Sequence, residues 1–499
     1  MRSPLVIPLG LALLVAPVAA QDAVRKPAVA GSFYPDKAEA LRAAIDASLV
    51  AARPPAAERP IALVAPHAGY VFSGQIAADA WRQAQPFDYD TIVILAPNHT
   101  EAFDGIALFR GDGFRTPLGV AAVDTALAAA LMKEDGDVTW RDSVHAKEHA
   151  IEVHLPFAQR LYPDARILPI VVGTHDPARL ARLGETLARL VADRRALIVA
   201  SSDLSHYPAA ADAKRLDLAT LDAIATLDPD VVRRALAAVP ASGVAEALTG
   251  ACGEAPILVA IAAARALGAT RARIVSYANS ADSPAGDPKR VVGYGAVAID
   301  AGGTTAPALD GVVLADPAAA LTEDDRRALV AYARETIDRF VRTSTAPMSR
   351  DVAPRLLRRQ GAFVTIRKDG ELRGCVGRLV PNGPLHWLVG AVALEAAVAD
   401  PRFGPVRPNE LGRLEVEVSL LTMPRQVPGP DDLVPGRDGV VLVKDGKSAV
   451  FLPEVAADEG WTRDEWLDEL SVKAGLEKGA WRDGAMLFAF RTEVIREER

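Results

Sequence analysis

Four apolar runs, each closed by a turn that carries a histidine, constrain this chain more than any other feature. Residues 61–65 end at Pro66-His67, residues 91–96 at Pro97-Asn98-His99, and residues 166–172 at Gly173-Thr174-His175. Residues 196–200 end at Ser201-Ser202-Asp203-Leu204-Ser205-His206. Short unbroken apolar runs are expected of strands buried on both faces of a parallel sheet. Ala-rich stretches of helical character, such as 125–133 and 177–192, lie between them, which gives the rhythm of βαβ units. Open α/β sheets bind ligands beyond the carboxyl ends of their strands. One histidine in such a turn is usually a hydrogen-bonded cap. Recurrence of the pattern, with Asp203 among the tips, favours a metal site built from imidazole and carboxylate at one sheet edge.

The histidines support that reading. Seven of the eight (His67, His99, His145, His149, His154, His175 and His206) fall between residues 67 and 206, and only His386 lies outside. A further cluster is Glu148-His149-Ala150-Ile151-Glu152-Val153-His154. It matches neither helical zinc signature, because Ala150 and Val153 stand where glutamate and histidine are needed. A helix there places His149 and Glu152 on one face and turns His154 away. The segment reads as a pocket wall that orients ligands or substrate.

The chain has 499 residues, enough for two or three cores. Its net charge of −8 and lack of a basic run exclude a nucleic-acid partner, which needs a positive face. Residues 1–20 have the form of a cleaved export signal: Arg2, an apolar stretch over 5–18, then Val18-Ala19-Ala20 before Gln21. The apolar stretch is too short for a spanning helix, so stable membrane insertion is not expected. The mature protein is expected to be periplasmic or secreted. The two cysteines, Cys252 and Cys375, sit in separate local motifs and read as two thiols rather than a disulfide framework.

Six stretches in the first half occur in the order of the Memo family. They are 30–35 (Ala-Gly-Ser-Phe-Tyr-Pro), 65–70 (Ala-Pro-His-Ala-Gly-Tyr), 96–99 (Ala-Pro-Asn-His), 148–156, 201–206 and 251–253 (Ala-Cys-Gly). Over residues 24–300 the chain resembles that family, itself similar to the LigB-like class III extradiol dioxygenases. The resemblance implies His67, His99 and Cys252 as metal ligands, with iron first and copper or zinc as alternatives. Asp203, His206, His149 and His154 are then the candidate catalytic residues. A cysteine in place of the dioxygenase carboxylate argues against ring cleavage itself. Small neighbours around Cys252 would let a metal approach; its other reading is a small buried core residue.

After residue 300 the style changes. A Gly/Thr/Pro-rich stretch over 301–320 reads as a linker, and a helix over 322–342 opens a second domain. A hairpin over 361–377 turns at Asp369-Gly370, and a helix (384–399), a strand (414–422) and a hairpin at Asp445-Gly446 follow. The expected architecture is an α/β sheet domain followed by a smaller α+β domain over 321–499. Residues 372–377 (Leu-Arg-Gly-Cys-Val-Gly), 400–403, 414–422 and 473–476 resemble the AMMECR family. Cys375 reads either as a thiol made reactive by Arg373 or as a small residue packed between glycines. Memo-like and AMMECR-like proteins resemble partners in the AmmeMemoRadiSam grouping, which implies a radical SAM protein as a partner; this chain lacks that protein's cysteine cluster. Three functions fit: a metal-dependent oxidoreductase, a module that binds a small-molecule or peptide ligand, and a metal-assisted hydrolase.

Overall fold

The structure, a computed structural model, describes residues 24–302 and 320–497. The expected export segment and most of the expected linker lie outside them. The first domain is organised by eight strands: β1 (Pro60–Ala65), β2 (Thr91–Pro97), β3 (Ile106–Leu108), β4 (Val138–Trp140), β5 (Arg166–Val172), β6 (Ala196–Ser201), β7 (Arg271–Asn279) and β8 (Gly293–Asp300). They form one sheet in the order β7-β8-β1-β6-β2-β5-β3-β4. The central four, β1, β6, β2 and β5, are parallel, while β8 and β3 join their outer sides antiparallel. These central four are the apolar runs read from the sequence. The short strands β3 and β4 leave no mark there, because three residues carry no readable periodicity.

The unbroken apolar character of these strands follows from burial on both faces. Leu63, Ile92, Ile94, Leu197 and Val199 pack with α1 (Ala38–Val50) and α2 (Tyr70–Ala84) through Leu41, Ile45, Ile76 and Trp81. The alternate residues, Ala62, Val64, Val93, Leu95, Ile198 and Ala200, pack on the other face. There they meet α3 (Pro177–Val191), α4 (Ala210–Ala225) and α5 (Glu254–Ala266). Both layers hold the strand tips fixed, and β1, β6 and β2 lie side by side, so the turns after them must meet.

The second domain opens with α6 (Glu323–Thr343), whose N-terminus is closed by a reciprocal Thr322–Asp325 cap. Its strands are β9 (Ala362–Lys368), β10 (Glu371–Arg378), β11 (Leu414–Leu421), β12 (Arg425–Val427), β13 (Gly439–Lys444), β14 (Lys447–Phe451), β15 (Met486–Phe490) and β16 (Thr492–Arg496). Two antiparallel sheets result, β10-β9-β11-β16 and β12-β15-β13-β14. Helix α7 (Leu385–Val398) packs Leu388, Val392 and Ala396 on Val364, Ile366 and Val418 of the first, and α8 (Arg463–Lys473) covers the second. Both hairpins turn as expected. Asp369-Gly370 and Asp445-Gly446 have positive φ at each residue, which a two-residue turn between twisted strands requires. Among the described residues no helix is long and apolar enough to cross a membrane.

The domains are joined by polar contacts that local sequence pattern does not reveal. Arg350 Nη1 lies 2.6 Å from the carboxylate of Asp79, a fully buried residue of α2. Arg339 donates to Ser48 Oγ (2.8 Å), Trp387 Nε1 donates to the Ser283 carbonyl (3.1 Å), and Ser349 N–H donates to Asp282 O (2.6 Å). A protease is expected to nick the chain first within 301–320, yet the fragments should co-elute on gel filtration and part only in denaturant. Fragments that elute separately in native buffer would show that these contacts do not hold the halves together.

Candidate metal centre

His67 follows β1, His99 follows β2, and His149 opens the one-turn helix His149–Glu152. One ligand atom from each falls within 4.8 Å of the other two, so a single ion could touch all three. The ring centroids lie 5.1 Å (His67–His99), 5.4 Å (His67–His149) and 4.7 Å (His99–His149) apart. The His67 side chain is 2% exposed, His99 30% and His149 22%. The cluster therefore opens to solvent on the His99 and His149 side.

The hydrogen-bond network leaves the right lone pairs free. Ser201 donates its hydroxyl proton to the Ala150 carbonyl (2.7 Å). Its oxygen must then accept from His67 Nδ1 (2.8 Å) and from His154 Nε2 (3.0 Å), which assigns His67 an unshared pair at Nε2. His154 Nδ1 in turn accepts from Trp81 Nε1 (3.4 Å). Glu148 Oε1 accepts from His99 Nδ1 (3.0 Å) and lies 3.5 Å from His149 Nδ1. A carboxylate or hydroxyl that fixes Nδ1 and frees Nε2 is the usual support of a metal-binding imidazole. The donor set thus fits a metal of the kind the motifs imply.

Electrostatics agree for the innermost ring. Burial, reinforced by the neighbouring imidazoles, pushes the His67 pKa well down, so the ring stays neutral and able to bind a cation. Burial would also lower His99, but the hydrogen bond and charge of Glu148 outweigh it and raise that ring above its ordinary value. Burial lowers His149, against the opposing charge of Glu148.

The remaining candidates surround this trio. Cys252 Sγ lies 3.3 Å from His67 Nε2 and accepts the Asp203 N–H (3.3 Å). It comes so close because residue 253 is glycine: a Cβ there would fall 2.4 Å from Ser201 O and 2.5 Å from Ser202 Cβ. Burial, then the Asp203 charge, push the Cys252 thiol pKa up. Asp203 accepts the His67 backbone N–H at Oδ1 (2.8 Å), while its Oδ2 is 3.9 Å from His67 Nε2. His206 is half-buried, with Nδ1 bonded to Leu204 O (2.9 Å). His154 is fully buried behind Ser201 and reaches the trio only through that hydroxyl. The fourth strand tip, His175, is exposed.

Three roles emerge only in the folded chain. The sequence puts His149 among the catalytic candidates, and the structure brings it close enough to His67 and His99 for one ion to reach all three. Ser201 and Glu148 orient the imidazoles; they stand in the Memo-like stretches 201–206 and 148–156, but those stretches alone do not show which ring each one bonds. Glu152 stands outside the cluster. Its carboxylate is fully buried and accepts from Arg25 Nη1 (2.5 Å), Ala28 N (2.7 Å), Val29 N (3.0 Å) and Tyr34 OH (2.6 Å). It thereby pins the N-terminal arm, and Phe33 from that arm meets the His149 ring edge-on at 5.1 Å.

Fold and site together define an α/β sheet protein with a histidine cluster at the carboxyl edge of its strands, extended by an α+β domain. The chain belongs to the family of Memo-like proteins, whose pattern matches residues 25–298, and residues 330–495 match AMMECR1, so it is a Memo–AMMECR fusion. A MEMO1 family protein of Methanosarcina acetivorans is 37% identical over 282 residues, 56% of this chain and 99% of its own length. A MEMO1 family protein of Aquifex aeolicus is 36% identical over 273 residues, 54% and 97% of the two chains. A solved structure of an uncharacterized protein from Pyrococcus horikoshii is 34% identical, covers 36% of this chain and 94% of its own, and has a TM-score of 0.35.

Proposed function

We propose that the chain is an exported, metal-dependent oxidoreductase whose ion is held by His67 and His99, with Cys252 and His149 completing the set. The observation that carries this reading is the fixing of His67 Nδ1 by Ser201 and of His99 Nδ1 by Glu148. Imidazole and thiol donors suit iron, copper or zinc, and iron is the first choice. When bound, iron or copper supplies a redox centre for the chemistry. The chain's own groups do the rest. Glu148 and Ser201 hold the rings in one orientation, Phe33 flanks the His149 ring, and Asp203 Oδ2 is placed to take up or return a proton.

The test is metal analysis of protein purified from the exported fraction, followed by oxygen uptake with candidate reductants. Bound iron or copper with oxygen uptake supports the reading. Bound zinc without uptake moves it to hydrolysis, and no metal at micromolar concentration moves it to a module that binds a small-molecule or peptide ligand, with or without a radical SAM partner. Export has its own check. Intact mass of the protein from its native host should place the N-terminus at or near Gln21, and a retained Met1 would contradict cleavage.

A further inference from the structure

The turn that carries Asp203 and His206 does not hold its own shape. Tyr207 has a φ of 78°, which a residue with a β-carbon keeps only where its surroundings impose it. The imposing partner is the segment 291–293, which leads into β8. Leu204 N–H donates to Gly293 O (2.8 Å), Gly293 N–H to Ser205 O (2.9 Å), Tyr207 N–H to Val291 O (2.7 Å) and Val291 N–H to Pro208 O (2.9 Å). His206 and Val292 face each other in this antiparallel bridge. Only glycine fits at 293, since a Cβ there would lie 1.9 Å from Oδ2 of Asp217, whose Oδ1 accepts Ser205 N–H (2.8 Å).

That segment is in turn anchored in the second domain. Ser280 N–H donates to Val292 O (2.9 Å), and Val292 N–H donates to Ser280 Oγ (3.1 Å). Ser280 opens the one-turn helix Ser280–Asp282, and Ser283 N–H returns to Ser280 O (3.2 Å). The second domain takes the next two carbonyls of this turn, Asp282 O from Ser349 N–H (2.6 Å) and Ser283 O from Trp387 Nε1 (3.1 Å). Both donors are themselves fixed. Ser349 Oγ is 2.7 Å from His386 Nδ1, and the His386 ring stacks on Tyr332 with 3.8 Å between centroids. Trp387 is buried on α7, and three residues on a Cβ at Gly390 would fall 3.0 Å from Pro284 Cγ. Within its own domain the turn keeps a side-chain tie to α2, Ser283 Oγ to Val71 O (2.7 Å). A short chain of hydrogen bonds thus runs from 349 and 387 through 280–283 and 291–293 to 204–208. Such contiguous networks are how one part of a fold biases another.

We propose that Ser349 and Trp387 are positioning residues for Asp203 and His206, so that docking of the AMMECR-like half sets the wall which these two side chains present to the metal centre. The role rests on the metal reading of the site, but the brace itself needs no ion.

Trp387→Phe in the full-length, metal-free protein tests it, because the ring stays and only the donor to Ser283 O is lost. Amide hydrogen exchange is followed by mass spectrometry over 203–208 and 289–293. Exchange in both segments should rise about threefold or more, the effect of one net hydrogen bond, while 91–97 and the urea midpoint stay as in the parent. In protein with carbon-13-labelled histidine, the His206 ring signal, assigned by its loss in His206→Gln, should shift while that of exposed His175 stays. Arg339→Gln, which removes a domain contact to Ser48 remote from 280–283, should leave 203–208 unchanged. Unchanged exchange over 203–208 in Trp387→Phe, an unmoved His206 signal, or an equal rise in Arg339→Gln would overturn the proposal. The metal reading is judged separately. A parent without metal whose Trp387→Phe form exchanges faster keeps the brace and loses the metal, and a metal-bearing parent with unchanged exchange does the reverse.

Discussion

Glu152→Ala is expected to cost about 3–5 kcal/mol of folding stability, because it leaves the guanidinium of Arg25 buried without its counter-charge. Arg25 is 3% exposed at its side chain and Glu152 is fully buried. Arg25 keeps only carbonyl partners, those of His145 (2.6 Å), Glu148 (2.6 Å) and Lys26 (3.3 Å), and the N–H groups of Ala28 and Val29 lose their acceptor. Urea unfolding of the parent and variant measures the difference. Glu152→Gln, which keeps the shape and one acceptor, should fall between them. A loss under about 1 kcal/mol, the range of an exposed pair, would mean that the arm is not packed as described. The arm also carries Phe33, so the Ala variant should bind metal less well even in the fraction that remains folded.

His67→Ala is expected to abolish metal retention through dialysis while leaving the unfolding midpoint nearly unchanged, since the two core layers do not involve the cluster. Glu148→Gln is expected to weaken retention by about 10–100-fold, the usual effect of removing a group that orients a metal-bound imidazole. Because Glu148 faces both His99 and His149, its loss should exceed that of Thr100→Ala, where the hydroxyl lost donates to the Val144 carbonyl (3.2 Å). Metal content by elemental analysis decides the matter. A His67→Ala protein that keeps the parent's metal would place the ion elsewhere. His149→Ala and Cys252→Ser, compared side by side, show which supplies the third donor.

The sheet is legible in the sequence because its signal is local. Residues 91–97 are all buried, and an unbroken apolar run between turn residues is what a strand covered on both faces needs. The positive-φ hairpins are legible for the same reason, since Asp-Gly is the cheapest way to meet that backbone demand. His67, His99 and Asp203 can be grouped because each follows a strand of one sheet. His149 cannot be grouped with them, because its approach depends on where a one-turn helix packs against β2. The Ser201 hydroxyl cannot be assigned either, as its partners are 134 and 47 residues away in sequence. Arg373 misleads for a related reason: adjacency along β10 suggests a cation for Cys375, but Glu410 claims it from the far side of a loop.

The ion pair of Asp79 with Arg350 means that the Memo-like half is electrically incomplete by itself. Its interior carboxylate also accepts Arg53 N–H (2.9 Å) and the Ser276 hydroxyl (2.6 Å), but its formal counter-charge comes from across the domain boundary. Anyone moving this half into another context inherits an unpaired anion under α2, a defect worth several kcal/mol. Asp79→Asn would make the excised piece self-sufficient, and the same change would loosen the intact fusion. Position 79 thus records, in one side chain, that the two halves have been shaped to each other rather than merely strung together.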